Sequence, residues 1–268
     1  MTHWRFSVPT AVPRRTVLIT GASSGLGLTF ARRFAARGDD LVVVARRRDR
    51  LDALARELQA AHGTTTAVFA QDLSLPGAAQ ALFDRLSDRG VRVDALINSA
   101  GFGTAGPFAA EDLDRVTDEV QVNVLALTQL TLLLLPQLLH SPAGLLLNVS
   151  STAAYQPLPN IAVYAATKAY VTALTEAIWQ ESRGTSLQVL ALAPGPTETE
   201  FFAAAGSDRF KVGPTLTANE VVDAAFAALA RRNSPPSLVV GARNRATAIF
   251  ARLAPSRLAL LVSARLTA

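Results

Sequence analysis

At 268 residues, half of them hydrophobic and none of them cysteine, the chain can bury a large core but offers no disulfide, thiolate nucleophile or cysteine-ligated metal. The three histidines, His3, His62 and His140, lie far apart without metal-ligand spacing, so no metal centre is expected. The formal charge of +5 belongs to one end: Asp223 is the last acidic residue and seven arginines follow it, which leaves the first 223 residues at −2 and the remainder at +7.

Residues 1–14 read as a flexible arm, in which His3, Arg5 and Pro9 break any apolar run; without a signal-like stretch the expected location is cytoplasmic. Residues 16–20 form a β-rich apolar run ending in Gly21-Ala22-Ser23-Ser24-Gly25-Leu26-Gly27, after which Phe30, Phe34 and Ala35 mark a helix. A second strand at 41–45 is followed by Leu51, Leu54, Ala55 and Leu58 at helical spacing, and a third at 65–70 runs into Asp72 and Leu73. Residues 78–89 read as helix and 93–98 as a fourth strand leading to Ser99-Ala100-Gly101.

A long helix is expected from about 111 to 139. Its apolar stretch 122–139 contains Asn123, Thr128, Gln129, Thr131 and Pro136, which suits a buried helix better than a membrane span. Then come a fifth strand at 144–149, a helix carrying Tyr164 and Lys168 to about Arg183, and a sixth strand at 187–193 stopped by Pro194-Gly195-Pro196. Residues 219–231 form the last core helix and 237–240 a short seventh strand. Strands this apolar are buried on both faces, and their alternation with helices predicts an α/β fold with a doubly wound parallel sheet of about seven strands.

The body therefore spans 15–241 and the basic tail 242–268. Ile249, Phe250 and Leu253 recur at helical spacing in the tail, as do Leu258, Leu261, Val262 and Leu266 past Pro255. This apolar side is expected to pack on the body or a sister subunit, leaving the arginines in solvent. The sharper reading is contact with an anionic membrane or an acidic acyl carrier. No aromatic residues interleave with a basic surface, so no nucleic-acid partner is expected.

The chemistry centres on Tyr164 and Lys168, set four apart and so on one face of a helix. The chain has only two lysines against 24 arginines, and lysine alone offers a compact ammonium of tunable pKa. Against a tyrosine, that ammonium favours the phenolate and draws a pKa of roughly 10 toward neutrality, as a general acid/base for a carbonyl or alcohol requires. The glycine turn at 21–27 lets backbone approach a pyrophosphate whose charge the following helix N-terminus stabilises.

Taken in order, these motifs resemble the short-chain dehydrogenase/reductase family over roughly residues 15–241. The resemblance implies a Rossmann-type fold and hydride transfer between NADP(H) and a carbonyl or secondary alcohol. It places Gly21, Ser23, Ser24, Gly25, Leu26 and Gly27 at the pyrophosphate. Arg46 and Arg47, with no carboxylate at the end of the second strand, fall at the 2′-phosphate. It sets Asp72 and Leu73 beside the adenine, and it matches Asn98, Ala100 and Gly101 to the family's Asn-Asn-Ala-Gly element, with Ser99 at the second place. Tyr164 and Lys168 also meet the nicotinamide ribose, while Pro194, Gly195, Thr197 and Thr199 form the segment that meets the carboxamide.

In catalysis the resemblance makes Tyr164 the proton donor, Lys168 its activator and Asn123 the holder of a water linked to the lysine. Ser151, 13 residues before the tyrosine, becomes the substrate-orienting serine in preference to Ser150. Phe201, Phe202 and Phe210 fall in a lid running to Thr217, where they serve an apolar substrate or the packing of the lid itself. Tyr155 is either pocket wall or a hydrogen-bonded loop residue. A homodimer or homotetramer is expected through the helices at 111–139 and 162–183. The alternatives are a non-catalytic NADP sensor or scaffold on the same fold, and a sugar epimerase or dehydratase.

Overall fold

A computed structural model of the chain describes residues 14–205, 215–231 and 233–266. The expected arm up to residue 13, the lid residues 206–214 with Phe210, and Arg232 lie outside the described residues. Seven strands, β1 (Thr16–Thr20), β2 (Asp40–Ala45), β3 (Thr66–Ala70), β4 (Ala95–Asn98), β5 (Leu145–Val149), β6 (Gln188–Ala193) and β7 (Ser237–Val239), form one sheet. Its order is β3-β2-β1-β4-β5-β6-β7, with every pairing parallel. The chain winds outward from β1 in one direction and from β4 in the other. Between these two strands lies the switch point at which a crevice opens beyond the carboxyl ends of a doubly wound sheet. The expected fold class is thus the observed one.

The strands have their apolar character because both faces are covered. On one face, α1 (Gly25–Ala35) and α8 (Ala218–Leu229) bring Phe30, Phe34 and Phe226 together, with the Phe34 and Phe226 rings 4.9 Å apart. On the other, α3 (Ala78–Asp88) and α5 (Leu127–His140) contribute Leu82, Leu86, Leu130, Leu134 and Leu138. The remaining body helices are α2 (Arg48–His62), α4 (Leu113–Val120), α6 (Ala162–Glu181) and α7 (Phe201–Ala205).

The long helix expected from about 111 starts at Leu113, where Asp112 caps it by accepting the Arg115 N–H at 2.8 Å. It is continuous but not uniform: a π-helical stretch, Gln121–Ala126, joins α4 to α5 and carries Asn123. By length and composition the run Leu113–His140 could cross a membrane, yet one side of it is core.

The tail forms α9 (Ala242–Leu253) and α10 (Ser256–Leu266). Its bulky stripe does not pack on this chain's own body, one of the two places expected for it. Small residues, Ala248, Ala259 and Ser263, face the body, and the Ser263 hydroxyl donates to the Pro157 carbonyl at 3.0 Å. Ile249, Phe250, Leu258, Leu261 and Val262 are exposed, and Leu253 retains 80% of its surface in solvent. Periodicity identifies an apolar stripe; here the close approach of α9 to the body admits only small side chains, so the bulky stripe is left outside.

Candidate active site

At the carboxyl ends of the strands lies a cavity of about 1000 Å³. Its first wall is the turn from β1 into α1. Gly21 and Gly25 adopt φ of +69° and +54°, a left-handed conformation that favours glycine. A Cβ on Gly21 would also lie 2.9 Å from the Ala100 backbone. Ser24 is the N-cap residue of α1, which carries no acidic residue in its first turn, so the amide dipoles there face the cavity unopposed. Gly21, Ser23, Ser24, Gly25 and Leu26 line the cavity. Gly27 does not: a Cβ there would overlap the Gly21 carbonyl, so its smallness serves the packing of α1 onto the turn.

Arg46 and Arg47 both reach the cavity, but Arg46 is exposed, whereas Arg47 donates from Nη2 to Ser23 Oγ (3.1 Å) and Ser24 Oγ (3.0 Å). Glu200 completes a cluster, meeting Arg47 Nη1 at 2.8 Å and Arg50 Nη1 at 2.6 Å, and these two arginines hold its carboxyl below the usual range. Asp72 and Leu73 line the adjoining wall, Asp72 Oδ1 accepting the Ser74 N–H at 3.0 Å.

Ala100 and Gly101 line the cavity as well, but Asn98 is withdrawn from it. Its amide donates to Asn148 Oδ1 (2.9 Å) and Thr131 Oγ1 (3.1 Å), tying β4 to β5 and α5. A buried amide must satisfy its hydrogen bonds, and here the core does so.

At the other end stand the proposed catalytic residues. Ser150 and Ser151 separate as the spacing argument expects. Ser150 is buried with its hydroxyl donating to the Lys168 carbonyl (2.9 Å), while the Ser151 hydroxyl hydrogen-bonds Tyr164 and accepts the Ala153 N–H at 3.1 Å. Lys168 is buried, and its Nζ donates to the Val149 carbonyl at 2.8 Å. Asn123 is fully buried: Oδ1 accepts the Phe102 N–H (3.2 Å), and Nδ2 donates to Phe102 O (2.8 Å) and Thr167 Oγ1 (3.1 Å). The π-helical stretch aims this side chain at the loop after β4 instead of along the helix surface.

The electrostatics differ from the expectation for a tyrosine–lysine pair. Burial pushes Tyr164 up to about 12, against the lowering effect of its hydrogen bond with Ser151. Burial likewise brings Lys168 down to about 8. The ammonium lies 5.6 Å from the Tyr164 ring centre and is occupied with a carbonyl, so desolvation outweighs its pull on the phenol.

Aromatic rings gather beside Tyr164. Phe201 packs on Tyr164 with ring centres 5.1 Å apart, Phe202 meets Phe201 edge-on at 5.4 Å, and both line the cavity. Thr197, Thr199, Pro194 and Gly195 line it too. Tyr155 does not: it turns away beneath α9, where Arg252 sits 5.7 Å over its ring and burial pushes its phenol up. The short 3₁₀ turn Thr152–Tyr155 instead presents Thr152 and Ala153 to the cavity.

Several residues here carry no motif. Glu200 and Arg50 meet only in three dimensions. Asn244, Thr247, Ala248 and Ala251 of α9 form part of the cavity wall, and a Cβ on Gly195 would overlap the Asn244 amide. Thr104 and Glu119 pair behind the loop after β4.

The profile of the family described as short chain dehydrogenase matches residues 15–209. Sulfoacetaldehyde reductase 2 of Chromohalobacter salexigens is 39% identical over 188 residues, 69% of this chain and 73% of that protein. Among solved structures, a short-chain dehydrogenase from Sphingobium yanoikuyae in complex with NADPH superposes with a TM-score of 0.78 at 35% identity, covering 88% of this chain and 92% of the other. A bulky-bulky ketone specific alcohol dehydrogenase from Comamonas testosteroni gives 0.75 at 30% identity, with coverage of 90% and 93%.

Proposed function

Because the chain belongs to the short-chain dehydrogenase/reductase family and is thereby an oxidoreductase of carbonyl and CH–OH groups, we propose that it transfers a hydride between NADP(H) and a carbonyl or secondary alcohol of an apolar substrate. The observation that carries this reading is the single cavity with an anion-ready glycine turn and Arg47 at one end and Ser151, Tyr164 and Lys168 at the other. Gly21, Ser23, Ser24, Gly25 and Leu26 suit a pyrophosphate, and Arg47 suits a 2′-phosphate, with no acid at the end of β2 to repel it. When bound, NADPH supplies the hydride, which is added to the carbonyl carbon to leave NADP⁺.

Tyr164, protonated at neutral pH, gives its phenolic proton to the carbonyl oxygen and so completes the alcohol. Ser151 donates a hydrogen bond to the same oxygen, where negative charge develops. Lys168, still charged at neutral pH, steadies the phenolate left behind, and Asn123 holds the loop against which both are packed. Phe201, Phe202, Leu158, Ile161 and Ala251 line the substrate side, which supports a bulky apolar carbonyl such as a 3-oxoacyl, lipid or steroid-like ketone. NADPH oxidation screened across carbonyl classes tests the reading. Tyr164→Phe should lower kcat by about 10²- to 10⁴-fold, the usual worth of a general acid, while NADPH still binds; near-normal turnover would overturn it.

A further inference from the structure

Behind the reactive pair lies a carboxyl that the proposed hydride transfer does not use. Glu119, on α4, is fully buried. Its Oε2 accepts both the N–H (2.9 Å) and the hydroxyl (2.7 Å) of Thr104, and its Oε1 has no hydrogen-bond partner. An orphaned oxygen on a buried acid is unfavourable, so a purely structural clamp on Thr104 is a poor use of glutamate: glutamine would accept the same amide without the desolvated charge.

Its surroundings suggest what the charge does. Glu119 precedes Asn123 by four residues, and the two side chains grip successive parts of the loop 101–104. That loop is thin and rests on α6: a Cβ on Gly103 would lie 3.0 Å from the Tyr164 ring, and one on Gly101 would lie 3.4 Å from Lys168 Nζ. The Glu119 carboxyl is therefore separated from both groups by one glycine-bearing strand of backbone, in an interior where charges are weakly screened.

The titratable groups acting on Glu119 come from two sides. Lys168 on α6 favours its ionised form; Glu111, in the turn before α4, opposes ionisation, as does burial, which raises its pKa overall. In return, negative charge on Glu119 raises both Tyr164 and Lys168.

We infer that Glu119 is a positioning residue that keeps the Tyr164–Lys168 pair loaded with protons and thereby extends carbonyl reduction to higher pH. This rests on the proposed roles of Tyr164 and Lys168. With the charge removed, both groups lose their protons more readily. The alkaline limb of reduction, where Tyr164 ceases to be an acid, then moves to lower pH, and so does the acidic limb of alcohol oxidation, where it becomes a base.

The test compares Glu119→Gln, which keeps size and an acceptor for Thr104, with Glu119→Asp, which keeps the charge. Profiles of kcat against pH are recorded in both directions with NADPH and a ketone, or NADP⁺ and its alcohol. Tyrosinate absorbance is titrated in parallel, with Tyr164→Phe as the blank, so that a variant of low turnover still reports. In Glu119→Gln both limbs and the tyrosinate titration should move down by about one pH unit, and in Glu119→Asp they should stay near the parent. Unmoved limbs and an unmoved tyrosinate titration in Glu119→Gln would overturn the inference while leaving the hydride-transfer reading intact. Turnover surviving in Tyr164→Phe would instead overturn that reading.

Discussion

Arg47 offers a direct test of cofactor choice. Its guanidinium donates to Ser23 and Ser24 at 3.0–3.1 Å and shares Glu200 with Arg50, beside the glycine turn where a 2′-phosphate is proposed. Replacing it with methionine keeps the aliphatic stem and removes the charge. A charge-assisted contact between guanidinium and phosphate contributes about 1.5–3 kcal/mol. Taking Glu200 off Arg47 costs little, because both side chains are partly exposed and such pairs are worth about 0–1 kcal/mol. The net loss for NADPH is then roughly 1–2 kcal/mol, or about 5- to 30-fold in Kd. NADH, lacking the phosphate, should bind as before or slightly better. Calorimetric titration of both nucleotides decides the matter. Equal losses for NADPH and NADH, or no loss for NADPH, would refute the assignment.

Two further outcomes follow from the same geometry. Lys168 falls to about 8 in the folded chain and returns to roughly 10.4 when unfolded. Between those values the unfolded chain binds the extra proton, so unfolding free energy climbs with pH, by at most about 1.4 kcal/mol per unit; Lys168→Met should remove that climb between pH 8 and 10 in urea titrations, and an unchanged slope would contradict it. Leu125, Leu132, Leu139 and Tyr170 are exposed on the π-helical stretch, α5 and α6, which supports a homodimer or homotetramer through these helices. Light scattering should show an oligomer that Leu132→Glu dissociates, and a monomeric parent would refute it.

Much of the site is readable in the chain because hydride-transfer chemistry places local demands on it. A glycine must stand where φ is positive at Gly21 and Gly25, a phenol and ammonium must share a helical face at Tyr164 and Lys168, and each demand marks a short stretch. Strand positions were legible for a similar reason, since a sheet buried on both faces leaves runs of Val, Leu and Ile. What depended on long-range geometry was not legible. That Asn148 and Thr131 claim the amide of Asn98 is visible only in the fold. Nothing near Glu200 in sequence points to Arg47 and Arg50, some 150 residues earlier. Spacing also says nothing of how closely a helix approaches its support, so it does not reveal that Ala248 and not Phe250 or Leu253 meets this chain's own body. The pKa of Tyr164 is set first by burial, a property of the whole fold that spacing along one helix does not reveal.

The cavity wall contributed by α9 has an evolutionary consequence. The residues proposed for chemistry lie within 15–209, the part matched by the family, whereas Asn244, Thr247, Ala248 and Ala251 lie beyond it. Divergence in this terminal segment can reshape the space offered to a substrate while the proton and hydride machinery is inherited unchanged. A lineage could thus acquire new substrates by drift in its last helices, and grafting α9 between relatives is a rational first step for anyone redirecting such an enzyme.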